Sequence, residues 1–168
     1  MIKLRKIKIG ELVSCCKGIK AVIGAIIKNK NSFKIITSYH VLKICGCKEG
    51  SEVYINRFKG KVQKIFKNLD IALLSFNIPS DFVLTSEIGN PKLGSAYILR
   101  RGHKKPCKII DIGKTFHKLS FPARKLPVPG DSGSPVIQDG KVVGILSSIY
   151  YTNATAIASS LEKFLERK

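Results

Sequence analysis

The sequence predicts an all-β fold, and three observations carry that expectation. Apolar residues fall in short runs rich in Val, Ile, Phe and Tyr; clusters of Gly, Pro, Asn and Asp punctuate the runs; helical periodicity is confined to two places. In chain order, the expected strand 21–28 ends at Lys30-Asn31-Ser32, which leads into 33–37, and a short helical turn follows His40. Expected strands 52–58 and 61–67 flank Lys59-Gly60, and 71–76 ends before Ile78-Pro79-Ser80. After Gly89-Asn90-Pro91 come 96–100 and 108–114. Pro129-Gly130-Asp131 precedes the strand 135–138, and Asp139-Gly140 joins that strand to 142–150, the strongest hairpin signal in the chain. Ser159 and Glu162 form a capping box ahead of Leu161, Phe164 and Leu165, which predicts a short helix over 159–167.

A chain of 168 residues is long enough for one domain, or for two half-domains sharing a cleft. The expected division is an N-terminal half at about residues 10–85, a C-terminal half at about 92–158, and the helix. An apolar fraction of 44% reads as globular. No apolar run reaches the roughly 18 residues of a membrane span, so no membrane partner is expected. Residues 1–8 are basic, and Leu12-Val13-Ser14-Cys15 resembles a lipoprotein cleavage box; Lys3, Arg5, Lys6, Lys8 and Glu11 interrupt the apolar stretch that a leader needs, so a cytoplasmic chain is expected.

Five cysteines, an odd number at irregular spacing with Cys15 and Cys16 adjacent, are expected to stay reduced. No cofactor is expected; the one alternative is a structural zinc on Cys45, Cys47 and Cys107 with His103 or His117 as fourth ligand. Thirty Lys and Arg against eleven Asp and Glu give a formal charge of +19. That field favours polyanions or acidic partners, which keeps nucleic acid open as a partner. The lysines are nevertheless scattered, no aromatic-basic nucleic-acid motif appears, and solubility accounts for them equally well.

Chemistry concentrates in three segments. In Pro129-Gly130-Asp131-Ser132-Gly133-Ser134-Pro135, glycines around a serine allow a tight turn that lifts its hydroxyl and aims main-chain N–H groups of Gly130 and Ser132 at one point, as a developing oxyanion requires. A serine needs a base. Of His40, His103 and His117, only His40 ends an apolar strand, Ile35-Ile36-Thr37-Ser38-Tyr39-His40; the other two lie in Lys-rich, turn-like surroundings. Asp70 opens the apolar run Ile71-Ala72-Leu73-Leu74, where a poorly solvated carboxylate suits an imidazole N–H.

Together these segments resemble the chymotrypsin-like serine peptidases, nearest to the HtrA-like and intracellular bacterial or viral branch, in the order His, Asp, Ser. Gly24-Ala25-Ile26-Ile27 and Ile35-Ile36-Thr37-Ser38-Tyr39-His40-Val41 are similar to the strand pair ending in that family's histidine; Asp70-Ile71-Ala72-Leu73-Leu74 and Gly130-Asp131-Ser132-Gly133-Ser134-Pro135, with Val142-Val143-Gly144-Ile145-Leu146-Ser147, complete the likeness over residues 21–168. The resemblance implies two six-stranded antiparallel barrels with a cleft between them, and an endopeptidase acting on protein or peptide through Ser132, His40, Asp70 and an acyl-enzyme. It implies that the specificity pocket has Leu126 at its base and is narrowed by Ser148 and Ile149, and that Ser147 offers main-chain hydrogen bonds to an extended peptide added as a strand at the sheet edge. The alternatives are a basic binding module on the same fold and a protein that cuts only itself.

The likeness departs from the family in three respects, one being that no HtrA-type peptide-binding extension is expected, so the nearness to that branch concerns the catalytic domain only. Lys20-Ala21-Val22-Ile23-Gly24 is only a loose echo of the Ile-Val terminus that zymogen-type relatives free by cleavage, so Asp131 either finds another cationic or hydrogen-bonding partner or leaves the oxyanion loop mobile until substrate binds; an enzyme that needs no proteolytic activation is expected. Leu126 offers no carboxylate for a Lys or Arg side chain, and Ser148-Ile149-Tyr150 stands where many relatives carry glycine, which favours a small or medium apolar residue before the cleaved bond.

Overall fold

The computed structural model describes residues 5–15 and 18–165, so Cys16, the first four residues of the basic N-terminal segment and the last residues of the expected C-terminal helix lie outside the described residues. Thirteen strands form two antiparallel sheets among these residues. The first holds β1 (Leu12–Cys15), β2 (Lys20–Val22), β3 (Ala25–Asn29), β4 (Ser32–Ser38), β5 (Glu52–Ile55), β6 (Phe58–Phe66) and β7 (Ile71–Phe76), in the order β2-β1-β5-β6-β7-β4-β3. The second is a closed barrel of β8 (Gly94–Arg100), β9 (His103–Ile112), β10 (Phe116–Ser120), β11 (Pro135–Gln138), β12 (Lys141–Tyr150) and β13 (Thr155–Ser159), in the order β10-β13-β12-β11-β8-β9.

Two barrel-like halves are thus present, with one refinement. The run expected as a single strand over 21–28 bends at Ile23-Gly24 into β2 and β3, which occupy opposite ends of the first sheet; with the further strand β1 this gives seven strands where the resemblance implied six. The bend needs glycine, because a Cβ on Gly24 would stand 2.3 Å from Ile145 Cδ1 and 2.7 Å from the Gly133 carbonyl.

Strand alternation explains the cores. Ile35 and Leu74 point into the first barrel with Val13, Ile26, Val53 and Phe76, whereas Ile36 and Ile71 point out of it and pack with Val142, Ile145 and Leu161 between the barrels. The second barrel closes on Ile98, Ile109, Leu119, Val136 and Leu146. The Asp139-Gly140 hairpin forms as expected, with Gln138 opposite Lys141 and positive φ at both turn residues.

Three features differ from the sequence reading. Strands β1, β10 and β13 were not anticipated. The β5–β6 turn falls at Asn56-Arg57 rather than Lys59-Gly60, because Gly60 is a strand residue packed beneath Phe76, where a Cβ would lie 2.5 Å from the Ser75 carbonyl. In the described part of the expected helix over 159–167 there is a 3₁₀ turn, Glu162–Phe164: Ser159 ends β13 and donates its hydroxyl to the Leu69 carbonyl, so the predicted capping box does not form. Among the described residues no helix is long and apolar enough to cross a membrane.

Candidate active site

Strand β4 runs directly into a six-residue helix, α1 (Tyr39–Ile44), which places His40 in its first turn. Asp70 links the 3₁₀ turn Lys67–Leu69 to β7 in a left-handed conformation (φ 53°, ψ 42°), a region Asp enters more readily than most residues. That kink turns both ends of the residue toward α1. The Asp70 carbonyl accepts from Tyr39 N–H (3.1 Å), its Oδ1 accepts from His40 N–H (2.8 Å), and its Oδ2 lies 2.7 Å from His40 Nδ1.

Two hydroxyls complete the carboxylate's shell. Ser147 donates to Oδ2 at 2.6 Å, and Ser38 donates to the same oxygen at 3.3 Å while lying 2.8 Å from His40 Nδ1. Burial alone would raise the Asp70 pKa, but hydrogen bonds from His40 and Ser147 outweigh it and hold the carboxyl below its ordinary value. An ionised Asp70 can only accept, so the His40 proton sits on Nδ1 and leaves Nε2 with a free lone pair.

Ser132 sits in a loop pinned to both barrels. On one side, Gly133 N–H donates to the Leu146 carbonyl and Leu146 N–H to the Ser134 carbonyl, both at 2.9 Å. On the other, Val22 N–H approaches the Ser132 carbonyl at 3.4 Å, and Thr37 Oγ1 donates to the Val22 carbonyl at 2.6 Å. Gly133 has φ +95°, and a Cβ there would meet the Val22 carbonyl at 2.6 Å, so this seam requires glycine. His40 comes from the first barrel and Ser132 from the second. Among the described residues no hydrogen bond joins the two side chains.

The expectation of two free N–H donors is not met. Val128 to Asp131 form a turn closed by Asp131 N–H to the Val128 carbonyl (2.8 Å), and Ser132 N–H donates to the Pro129 carbonyl (3.2 Å). A trans peptide is planar with its C=O and N–H opposed. The Pro129 carbonyl aimed at Ser132 therefore points the Gly130 N–H the other way. Rotating this one peptide plane by about 180° converts a type I turn to type II, with proline still suited to the first central position and glycine needed at the second. The rotation would free the Ser132 N–H and turn the Gly130 N–H to the same side.

Asp131 finds the partner that the sequence left open. Its carboxylate is 2% exposed and accepts from Lys105 Nζ (2.7 Å) on β9 and from Val128 N–H (2.8 Å). Neither Lys105 nor Ser38 was read as a site residue. Ser38 stands two residues before His40, a signal the sequence carries; Lys105 is one of 30 cationic side chains and carries no local mark.

Leu126 is half-buried against the second core, and its carbonyl accepts from Lys105 Nζ at 3.4 Å. The Ser147 hydroxyl serves Asp70, as described above. Ser148 and Ile149 are half-buried on β12 past the point where β11 runs out at Ile145; here β12 pairs with β13 alone among the described residues.

The cysteines depart from expectation. Cys15 and Cys45 form a disulfide joining β1 to the C-terminal cap of α1, which corrects the reading of reduced thiols. Cys47 is buried beside them, the three sulfurs lying within 4.8 Å of one another. The zinc set Cys45, Cys47 and Cys107 is not brought together: the first two belong to the first core and Cys107 to the second, where burial pushes its thiol up to about 12. His103 is exposed at the β8–β9 turn, whereas His117 is buried on β10 and accepts from Gly113 N–H at 3.3 Å, against the reading of it as a surface residue.

No family model and no curated protein matches this sequence. Solved structures do. The chain is similar to Nocardiopsis protease (15% identity, 95% of this chain and 94% of that one, TM-score 0.73) and to Thermobifida fusca protease A (15%, 95% and 96%, TM-score 0.73). It is also similar to the NSP4 proteinase of equine arteritis virus (17%, 89% and 70%, TM-score 0.59). The two-barrel arrangement, one closed and one a curled sheet, is the chymotrypsin-like, trypsin-type peptidase fold.

Proposed function

We propose that the chain is a serine endopeptidase in which Ser132 is the nucleophile, His40 the base and Asp70 the residue that fixes the imidazole. The observation that carries this reading is the 2.7 Å contact between His40 Nδ1 and Asp70 Oδ2, which leaves Nε2 as the proton acceptor on the cleft side. His40 Nε2 takes the Ser132 hydroxyl proton as Oγ attacks a peptide carbonyl carbon. The same proton passes to the leaving amine as the C–N bond breaks, which leaves an acyl-enzyme. Water, deprotonated by His40, then releases the acid and restores Ser132.

The oxyanion of each tetrahedral intermediate needs the N–H groups of Gly130 and Ser132 on one side, so catalysis follows rotation of the Pro129–Gly130 peptide. The closed turn favours an enzyme at rest until substrate or another ligand draws the loop open. An extended protein or peptide substrate would add along the unpaired edge of β12 at residues 148–150.

The test is labelling with a fluorophosphonate, comparing the wild type with Ser132→Ala and His40→Ala. Wild-type labelling that both substitutions abolish supports the assignment. Labelling that survives in Ser132→Ala places the nucleophile elsewhere, and a folded wild type that stays unlabelled with peptide present removes the reading.

A further inference from the structure

Behind the oxyanion loop, on the side of Asp131 and away from His40, lies a cavity of about 960 Å³ between β1, the β5–β6 turn and the β8–β9 hairpin. Arg5, Lys20, Arg100, Arg101, His103 and Lys105 line it, against only two acids, Glu11 and Asp131. Both acids are matched: Arg5 pairs with Glu11 at 3.5 Å and Lys105 with Asp131 at 2.7 Å. Lys20, Arg100 and Arg101 have no carboxylate partner among the described residues.

Arg100 is the most informative of the three. Its Nε is buried and has no hydrogen bond, a costly state for a charged donor that moving the side chain outward to a ligand would relieve. Its guanidinium also lies over the turn described above, 3.5 Å (Nη2) from where a Gly130 side chain would begin. Arg100 is thus both an unmatched cation of the cavity and a neighbour of Gly130, whose peptide must rotate.

We propose that this cavity binds a polyvalent phosphate of nucleotide size, and that binding draws Arg100 off Gly130 and releases the oxyanion loop. Guanidinium forks match phosphate oxygens two at a time, and three uncompensated cations converging on one cavity suit a di- or triphosphate better than a single charge. The volume sits at the upper end of the roughly 300–1,000 Å³ usual for small-ligand sites. The coupling to Ser132 rests on the peptidase reading; the binding does not.

Titration calorimetry of the full chain with inorganic tripolyphosphate at physiological salt tests the site. A saturable one-to-one isotherm is expected. Arg100→Ala with Arg101→Ala should weaken it about tenfold or more, since both remove charge-assisted hydrogen bonds to phosphate. Lys108→Ala with Lys118→Ala removes the same charge from exposed positions outside the cavity and should weaken it less than about twofold, at salt that screens distant charges. Equal weakening by both pairs, or no binding, overturns the site. Arg101→Ala alone, at an exposed residue, provides a variant whose fold is not in question. ATP binding more tightly than tripolyphosphate identifies a nucleotide, and equal affinity identifies free polyphosphate; a Glu-rich peptide that outcompetes both overturns the phosphate assignment. For the coupling, tripolyphosphate should raise the fluorophosphonate labelling rate of the wild type several-fold and leave the Arg100→Ala, Arg101→Ala protein unchanged. An unaltered wild-type rate with binding intact overturns the coupling. A wild type that never labels condemns the peptidase reading, while the isotherm still decides the site.

Discussion

The Lys105 ammonium lies 2.7 Å from the Asp131 carboxylate, and Asp131 immediately precedes the candidate nucleophile. In zymogen-type relatives a freed N-terminus supplies that charge; here β9 supplies it from within the fold, so the loop has its counter-ion without a cleavage. Lys105→Met would leave a carboxylate that is almost wholly buried with no cation. It is expected to cost about 3–5 kcal/mol in urea unfolding, and Asp131→Asn added to it should recover most of the loss. A single substitution costing under about 1 kcal/mol would assign the pair no structural role.

Gly130→Ala separates the two states of the turn. In the closed turn Gly130 does not have positive φ, and an added Cβ would make only an ordinary contact with Arg100, so the melting temperature should be unchanged. The rotated turn needs left-handed backbone at this residue, where a Cβ costs about 1–2 kcal/mol. Labelling or kcat/KM is expected to fall about tenfold in a protein of unaltered stability.

The Asp70 carboxyl is held below its ordinary value, so its ionised form stabilises the fold above about pH 4 and that stabilisation is lost as pH falls through the lower, folded value. Ser147→Ala removes one of the hydrogen bonds responsible. Acid unfolding of the variant should begin at higher pH than in the wild type, and kcat/KM should fall about tenfold from a looser imidazole. Coincident acid-unfolding curves would show that Ser147 contributes little to the carboxylate.

His117 shows the opposite ionic preference. Burial lowers its pKa below the ordinary 6.5, against the pull of Asp111 and Glu162, so it stays neutral in the fold while the unfolded chain takes up a proton. Its stabilising effect is complete above about pH 6.5 and declines as pH falls from there toward the folded value. His117→Gln keeps an acceptor for Gly113 N–H and should flatten the stability–pH profile below about pH 6.5, measured by urea midpoints.

Arrangements that follow from local sequence, the His40–Asp70 contact among them, were legible in the sequence. His40 was recognisable from the strand before it, Asp70 from the apolar run after it, and the Asp139-Gly140 hairpin from its turn residues. The conformation of the oxyanion loop was not, because Pro129-Gly130 favours the type II turn while permitting type I, and only the observed hydrogen bond between Ser132 and Pro129 identifies the type I form. The C-terminal capping box misled because a long-range partner, the Leu69 carbonyl, competes for the Ser159 hydroxyl. Cys15 and Cys45 are 30 residues apart, and no spacing rule joins a strand to a helix cap.

The loop that carries Ser132 is also where the two halves of the chain are sewn together, through Val22 on one side, Leu146 on the other, and the abutting glycines Gly24 and Gly133. The proposed site, with His40 on one half and Ser132 on the other, can therefore assemble only while that seam holds. A chain severed within residues 84–93 would give two fragments, each with its own sheet and neither with a complete site. Mixing them should restore activity only to the extent that they re-dock, which makes recovered labelling a direct gauge of half-to-half affinity. Mild denaturant should likewise silence the site before either sheet melts.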